Sequence, residues 1–296
     1  MLYAVSPAAV AASTISAGDR YAYGANFGWI DARADVEHGA RVGEFVCAGY
    51  LYGANVGWIN LGNGEPVNGI YYQNNSAADF GVNRDPLGQL TGCAWGANIG
   101  WLIFTNRTAA GAPLEAPRVD LFTGRLSGYA YAPNLGWITL SNLFAHVKTD
   151  SVLPGTDTDG DGIPDAWELG HVGRLDLMNA TSNADGDRAT DLQEYLADTN
   201  PLIAGDELRV TEYSHSGDGT PRTITWTTQP TRLYRVEQRM DFDPRSTWVD
   251  AGQGWLAPDP GATTTRTLVQ TPEARSYLRI QAARPLAPAG ASSNPD

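Results

Sequence analysis

Along the first half of the chain, aromatic residues alternate with small or aliphatic ones at a period of two. The alternation breaks at a short turn and then resumes. This happens four times: Tyr21–Ile30, Tyr50–Ile59, Cys93–Leu102 and Tyr129–Ile138. The first copy reads Tyr-Ala-Tyr-Gly-Ala-Asn-Phe-Gly-Trp-Ile. Residues i and i+2, such as Tyr21 and Tyr23, share one face of a strand. Asparagine and glycine in the middle stretch tolerate or supply positive φ and turn the chain. The tryptophan opens the returning strand, which places it beside the aromatic pair across a hairpin. The residue between asparagine and glycine is always apolar (Phe27, Val56, Ile99, Leu135), and an apolar turn tip calls for burial against a neighbouring copy.

Val82–Leu90 and Val119–Leu126, which precede the third and fourth copies, each read as strand, glycine turn and strand. Each unit is therefore expected to be a three-stranded antiparallel meander of about 35 residues. Four of them close into a propeller-like or barrel-like ring or stack as a solenoid, and the pattern leaves that choice open. An internal repeat builds a surface or scaffold more readily than one asymmetric catalytic constellation.

Beyond residue 206, short runs alternate again: Leu208–Tyr213, Thr223–Thr227, Leu233–Gln238, Thr265–Val269 and Tyr277–Gln281. Turns are expected at Ser216–Gly219 and Pro258–Gly261. A small antiparallel sandwich over residues 206–286 follows, similar to fibronectin-like or immunoglobulin-like modules. Trp248 and Trp255 are expected in its core, and the Pro/Ala-rich end, 287–296, reads as a flexible tail. The fold class is thus mainly β: a repeat-built domain at 1–150, a small loop-helix module at 151–205, and the sandwich.

Composition narrows the partners. The 296 residues carry a net charge of −13, which argues against a phosphate backbone or an anionic membrane surface and suits cations. No run of apolar residues is long enough to span a membrane. The apolar start, Met1–Ser13, reads either as a signal-peptide remnant or as a mature strand, and residues 2–12 are a candidate for strand addition to a neighbouring subunit. Cys47 and Cys93 lie in neighbouring copies. They read either as a disulfide in a secreted protein or as two small buried thiols.

The sharpest chemistry lies between the two β-rich regions. Asp157-Thr-Asp-Gly-Asp-Gly-Ile-Pro-Asp-Ala-Trp-Glu168 fits a twelve-residue calcium loop with ligands Asp157, Asp159, Asp161, the Ile163 carbonyl, Asp165 and Glu168. A second loop offers Asn183, Asp185, Asp187, the Ala189 carbonyl, Asp191 and Glu194. Its sixth position is Arg188 instead of glycine, so turn strain and a weaker site are expected there. Short helices should follow each loop, near 164–169 and 191–196, with Trp167, Leu192, Tyr195 and Leu196 packed together.

Residues 155–203 resemble the thrombospondin type 3-like calcium repeats of bacterial secreted proteins and, more distantly, a dockerin. The carrying phrases are Asp-Gly-Asp-Gly-Ile-Pro-Asp-Ala-Trp-Glu and Leu-Gln-Glu-Tyr-Leu-Ala-Asp-Thr-Asn-Pro. The resemblance implies Ca²⁺ as cofactor and a calcium-set spacer between surface domains. The layout also resembles bacterial secreted or surface proteins with Gly-Ala-Asn-x-Gly-Trp-Ile repeats.

No nucleophile elbow, metalloprotease helix, dinucleotide fingerprint or P-loop is present, and the four histidines lack ligand spacing. The leading expectation is a non-enzymatic extracellular or cell-surface structural protein that binds calcium and self-associates into a surface layer, matrix or filament. The alternative is a secreted glycan-binding module with structural calcium. In the first, Trp29, Trp58, Trp101 and Trp137 are core residues. In the second they stack on sugar, oriented by Asn26, Asn55, Asn98 and Asn134.

Overall fold

The computed structural model describes residues 12–105, 115–215, 221–241, 243, 245–268 and 276–288. The expectations for Met1–Val10, for the Ser216–Gly219 turn and for the end of the tail lie outside the described residues. The chain is mainly β, with 40% strand and 6% helix. It divides into two compact units, residues 1–155 and 156–296.

In the first unit each asparagine-containing stretch turns a hairpin. The hairpins are β1 (Ile15–Gly24) with β2 (Gly28–Asp31), β5 (Tyr50–Gly53) with β6 (Gly57–Asn60), β8 (Leu90–Gly96) with β9 (Gly100–Phe104), and β12 (Tyr129–Ala132) with β13 (Gly136–Thr139). β2 pairs with β5, β6 with β8 and β9 with β12, and β13 pairs back to β1, which closes an antiparallel barrel of 8 strands. Among the described residues of this unit, six short strands lie outside the ring: β3 (Arg41–Val42), β4 (Cys47–Ala48), β7 (Val82–Arg84), β10 (Arg118–Val119), β11 (Leu126–Ser127) and β14 (Val147–Thr149). Only β7 joins its barrel hairpin as the expected third strand. β3 pairs with β4 and β10 with β11 as separate two-stranded ladders. Gly49 (φ 85°) and Gly128 (φ 81°) kink the chain between those ladders and the barrel strands.

Alternation sorts the side chains. Ala22, Ile30, Ile59, Ala94, Leu102, Ala130 and Ile138 point inward and are buried. A barrel of this size has room inside only for side chains. The turn tips Phe27, Val56 and Ile99 are buried too, folding back over the glycine that opens their own turn. A Cβ on Gly53 would meet Val56 at 2.6 Å, one on Gly96 would meet Ile99 at 2.7 Å, and one on Gly24 would overlap the Phe27 ring. The fourth copy has Ala132 in that place, and its tip, Leu135, is only half-buried.

The turn asparagines close a cycle. The Asn55 amide donates to the Phe27 carbonyl at 2.9 Å, Asn98 to Val56 at 3.2 Å, Asn134 to Ile99 at 3.1 Å and Asn26 to Leu135 at 2.7 Å. Each hairpin is thereby clasped to the one before it, and the fourth is clasped to the first. Asn55→Ala should lower the stability of this unit by about 1 kcal/mol. A denaturation midpoint equal to wild type would show that the clasp contributes nothing.

β1 outruns its hairpin. One edge pairs first with β13 (Tyr23 opposite Thr139) and then with β14 (Ile15 opposite Thr149). Residues 140–146 leave this edge as a finger, fixed by the Ser141–His146 bridge and by Asn142, whose carboxamide oxygen accepts from the Phe144 and Ala145 amides at 2.8 and 3.0 Å. At its tip Leu143 is 97% exposed and Phe144 90%.

In the second unit α1 (Asp165–Val172) and α2 (Asp191–Ala197) precede two three-stranded antiparallel sheets. One holds β15 (Val210–His215), β16 (Arg222–Thr227) and β19 (Thr263–Leu268). The other holds β18 (Val249–Asp250), β17 (Leu233–Arg239) and β20 (Tyr277–Ala283). Ile224, Trp226 and Leu268 from one sheet and Tyr234, Val236 and Ala282 from the other form one buried cluster, joined by Ala197 of α2. Arg232 donates to the Leu196 and Tyr195 carbonyls at 2.8 and 2.9 Å, which satisfies the end of α2. Trp248 and Trp255 are not core residues. Trp255 lies under the Arg235 guanidinium at 4.8 Å, and Trp248 lies between Arg239 at 4.8 Å and Arg279 at 4.7 Å.

Candidate functional site

The two acidic loops follow the same plan with differences in detail. In the first, Asp157 accepts from the Gly160 and Gly162 amides at 2.8 and 3.0 Å, and Asp161 accepts from the Ile163 amide at 2.8 Å. In the second, Asn183 accepts from the Gly186 amide at 2.6 Å, and Asp187 from the Ala189 amide at 2.7 Å. These bonds fold each loop inward. The ligand atoms of Asp157, Asp159 and Asp161 come within 4.8 Å of one another, as do those of Asp185, Asp187 and Glu194.

Each loop runs into a helix, and the helix supplies the last acid. α2 begins with a reciprocal cap in which Thr190 accepts from the Gln193 amide and Gln193 from the Thr190 amide. Trp167 and Tyr195 pack edge to face at 5.8 Å between the helices. Behind this pair Glu168 and Glu194 are 0% exposed, and neither carboxylate has a hydrogen-bond partner on either oxygen. One oxygen each of Asp161 and Asp185 is also buried without a partner. Burial, reinforced by the neighbouring aspartates, pushes both glutamates up to about 8. Six orphaned carboxylate oxygens around two points form the donor set that a hard cation satisfies.

Asp165 and Asp191 do something different. Asp165 accepts from the Thr158 amide and hydroxyl at 2.8 and 2.5 Å, while Asp191 accepts from the Ala184 amide at 2.9 Å and from the Ser182 hydroxyl. Both brace the loop entrance. Arg188 does not adopt positive φ, and its side chain is 84% exposed, 3.7 Å from Glu207. The strain expected at that position is absent: Gly186 (φ 79°) matches Gly160 (φ 77°) of the first loop, but the second loop lacks the left-handed turn that Gly162 (φ 97°) makes at the sixth position.

The cysteines do not pair. Both are free thiols. Cys47 lines a small apolar cavity of about 50 Å³, and burial pushes its thiol up to about 11. Cys93 occupies the place that Tyr21, Tyr50 and Tyr129 hold in the other copies, on the outer wall, and donates to Asn74 at 2.9 Å. Cys47 faces the inner cavity from the β3–β4 ladder, whereas Cys93 lies on the outer wall of β8.

The four repeat tryptophans lie outside the barrel. Trp29 is 47% exposed, Trp58 48% and Trp101 38%, while Trp137 is half-buried. Each ring lies 4.7–4.8 Å from the second aromatic of its own hairpin: Tyr23, Tyr52, Trp95 or Tyr131.

No family model matches the chain, and no curated protein or solved structure matches it either.

Register adds residues that repeat-by-repeat reading passed over. Across the barrel wall Asp31 stands between Tyr21 and Tyr52, Asn60 between Tyr50 and Trp95, Thr139 between Tyr129 and Tyr23, and Ile103 between Cys93 and Tyr131. All four sit two residues after a repeat tryptophan, so the period-two rule alone puts them on its face. The outer wall is therefore four rows, each running across four strands. They are Tyr129–Thr139–Tyr23–Trp29, Tyr21–Asp31–Tyr52–Trp58, Tyr50–Asn60–Trp95–Trp101 and Cys93–Ile103–Tyr131–Trp137.

Proposed function

We propose that this chain is an extracellular, calcium-binding structural protein, a non-enzymatic subunit of a surface layer, matrix or filament. The observation that carries this reading is the pair of fully buried, partnerless glutamates: Glu194 clusters with Asp185 and Asp187, and Glu168 feels the charges of Asp161 and Asp159. Asp157, Asp159, Asp161, the Ile163 carbonyl and Glu168 would hold one calcium ion. Asn183, Asp185, Asp187, the Ala189 carbonyl and Glu194 would hold the other. A divalent cation offsets the desolvation of these carboxylates, so its binding free energy becomes folding free energy. In this reading residues 151–205 are the type 3-like calcium module, residues 206–286 a β-sandwich, and the barrel a fourfold repeat.

Assembly is supported by what the surface presents. Leu143 and Phe144 project from a hydrogen-bonded finger and are almost wholly exposed. Together they offer several kcal/mol of burial to whatever covers them. β15 is exposed along its whole length, and among the described residues it pairs only with β16, which leaves an edge suited to pairing between chains.

Electron microscopy of the purified chain tests the reading. Ordered polymers are expected in millimolar calcium and monomers in chelator. The Leu143→Ser/Phe144→Ser double variant should remain monomeric in calcium with an unchanged melting temperature. Monodisperse wild-type particles under both conditions would sink the structural reading.

A further inference from the structure

We infer that three of the four rows on the barrel wall are polysaccharide-binding strips, each stacking pyranose rings on tryptophan. This inference rests on the barrel alone and is independent of the calcium reading.

The rows have a composition that folding does not require. The barrel interior is already filled by the inward Ala, Ile and Leu residues. The outer rings lie outside that core, although Trp101 also meets Phe80 edge to face at 5.2 Å, and large apolar rings exposed in an ordered pattern mark a binding surface. In each strip a polar side chain stands between aromatics: Thr139 between Tyr129 and Tyr23, Asp31 between Tyr21 and Tyr52, Asn60 between Tyr50 and Trp95. The centre of a protein-docking patch is depleted in charged groups. Rings interleaved with hydroxyl, amide and carboxylate groups suit a ligand that offers C–H faces and hydroxyl edges together. An equatorially substituted pyranose does so.

Shape agrees with a polymer in preference to a small ligand. The strips are on a convex wall and not in a cleft. A row crosses four strands, three spacings of about 4.8 Å, so it is about 14 Å long. That length suits a stretch of chain. The net charge of −13 turns away anionic polymers such as nucleic acid, which leaves neutral glycans of the glucan or chitin type.

The fourth row departs at both places that matter. Cys93 replaces the first tyrosine, Ile103 replaces the polar residue, and Trp137 is the least exposed of the four repeat tryptophans. It serves as an internal control. The turn asparagines take no part in this scheme, because they lie in the hairpin turns and not in the rows across the strands.

The full chain should be depleted from solution by microcrystalline cellulose or chitin. Trp29→Ala, Trp58→Ala and Trp101→Ala combined should weaken retention about tenfold or more, whereas Trp137→Ala should bind as wild type does. A separate readout needs no variant: titrating wild type with soluble cello- or chito-oligosaccharides should shift its tryptophan fluorescence. Retention of the triple variant equal to wild type would overturn the inference. So would wild type that neither pellets with either polysaccharide nor changes its fluorescence. Equal loss in Trp137→Ala would overturn the assignment of three strips.

Discussion

Glutamine in place of Glu168 should abolish the calcium response of the first loop without weakening the metal-free protein. The wild-type carboxylate is buried with both oxygens unpartnered, so without a cation it destabilises the fold. A glutamine of nearly the same shape removes the charge and fills the same space, and metal-free stability should stay level or rise. With calcium the order reverses. Free calcium at a hundred times its dissociation constant adds about 2.7 kcal/mol per occupied site, and Glu168→Gln forfeits the share of its loop. Glu194→Gln should do the same for the second loop, and the double variant should melt alike in calcium and chelator. Thermal melts of the four proteins in both conditions decide the matter. A double variant that still gains stability from calcium would place the ions elsewhere. A Glu168→Gln protein that melts early in chelator would mean that the carboxylate has a structural partner.

Gly24→Ala should destabilise the barrel through a single methyl group. A Cβ there overlaps the Phe27 ring, so the ring must leave the barrel mouth. Loss of a buried phenyl group typically costs about 3–5 kcal/mol, and partial relaxation brings the expected loss to about 2–4 kcal/mol. The chain supplies its own rescue. Its fourth copy pairs Ala132 with Leu135, a combination in which the tip is half-buried and the turn is intact. Gly24→Ala combined with Phe27→Leu should recover part of the loss. Chemical denaturation of the three proteins tests this. A Gly24→Ala protein as stable as wild type would show that Phe27 contributes little to closing the barrel.

These two predictions draw on different kinds of sequence information. The two acidic clusters were legible because their carboxylates are local in sequence. Twelve consecutive residues fix the geometry, and the orphaned oxygens of Glu168 and Glu194 fall where the spacing puts them. Spacing does not reveal that Asp165 and Asp191 also accept hydrogen bonds from Thr158 and Ser182. In the barrel, hairpins and turn tips followed from alternation, but the direction of the faces did not. Tryptophan suggested core, yet the residue between each aromatic pair is Ala22, Leu51, Ala94 or Ala130. A narrow barrel accepts that face inside and leaves the rings outside. Closure into a ring depends on pairing between Tyr23 and Thr139, which no single repeat encodes. Repeat position left the cysteines open between a bridge and two free thiols, and they are free. Aligning the copies puts Cys93 at the first tyrosine position and Cys47 three residues before it.

The seam between β1 and the β13–β14 edge also sets how the barrel comes into being. The Thr14 and Thr149 hydroxyls meet at 2.9 Å across 135 residues of chain, whereas each hairpin closes over a handful of residues. Loop-closure entropy puts such a contact last in time and makes sheets of this connectivity slow to fold. During synthesis β1 emerges first and waits, its outer edge unpaired, until the fourth hairpin and β14 have been made. The ring can therefore close only once the chain has reached Thr139 of β13, and β14 adds to the seam after that.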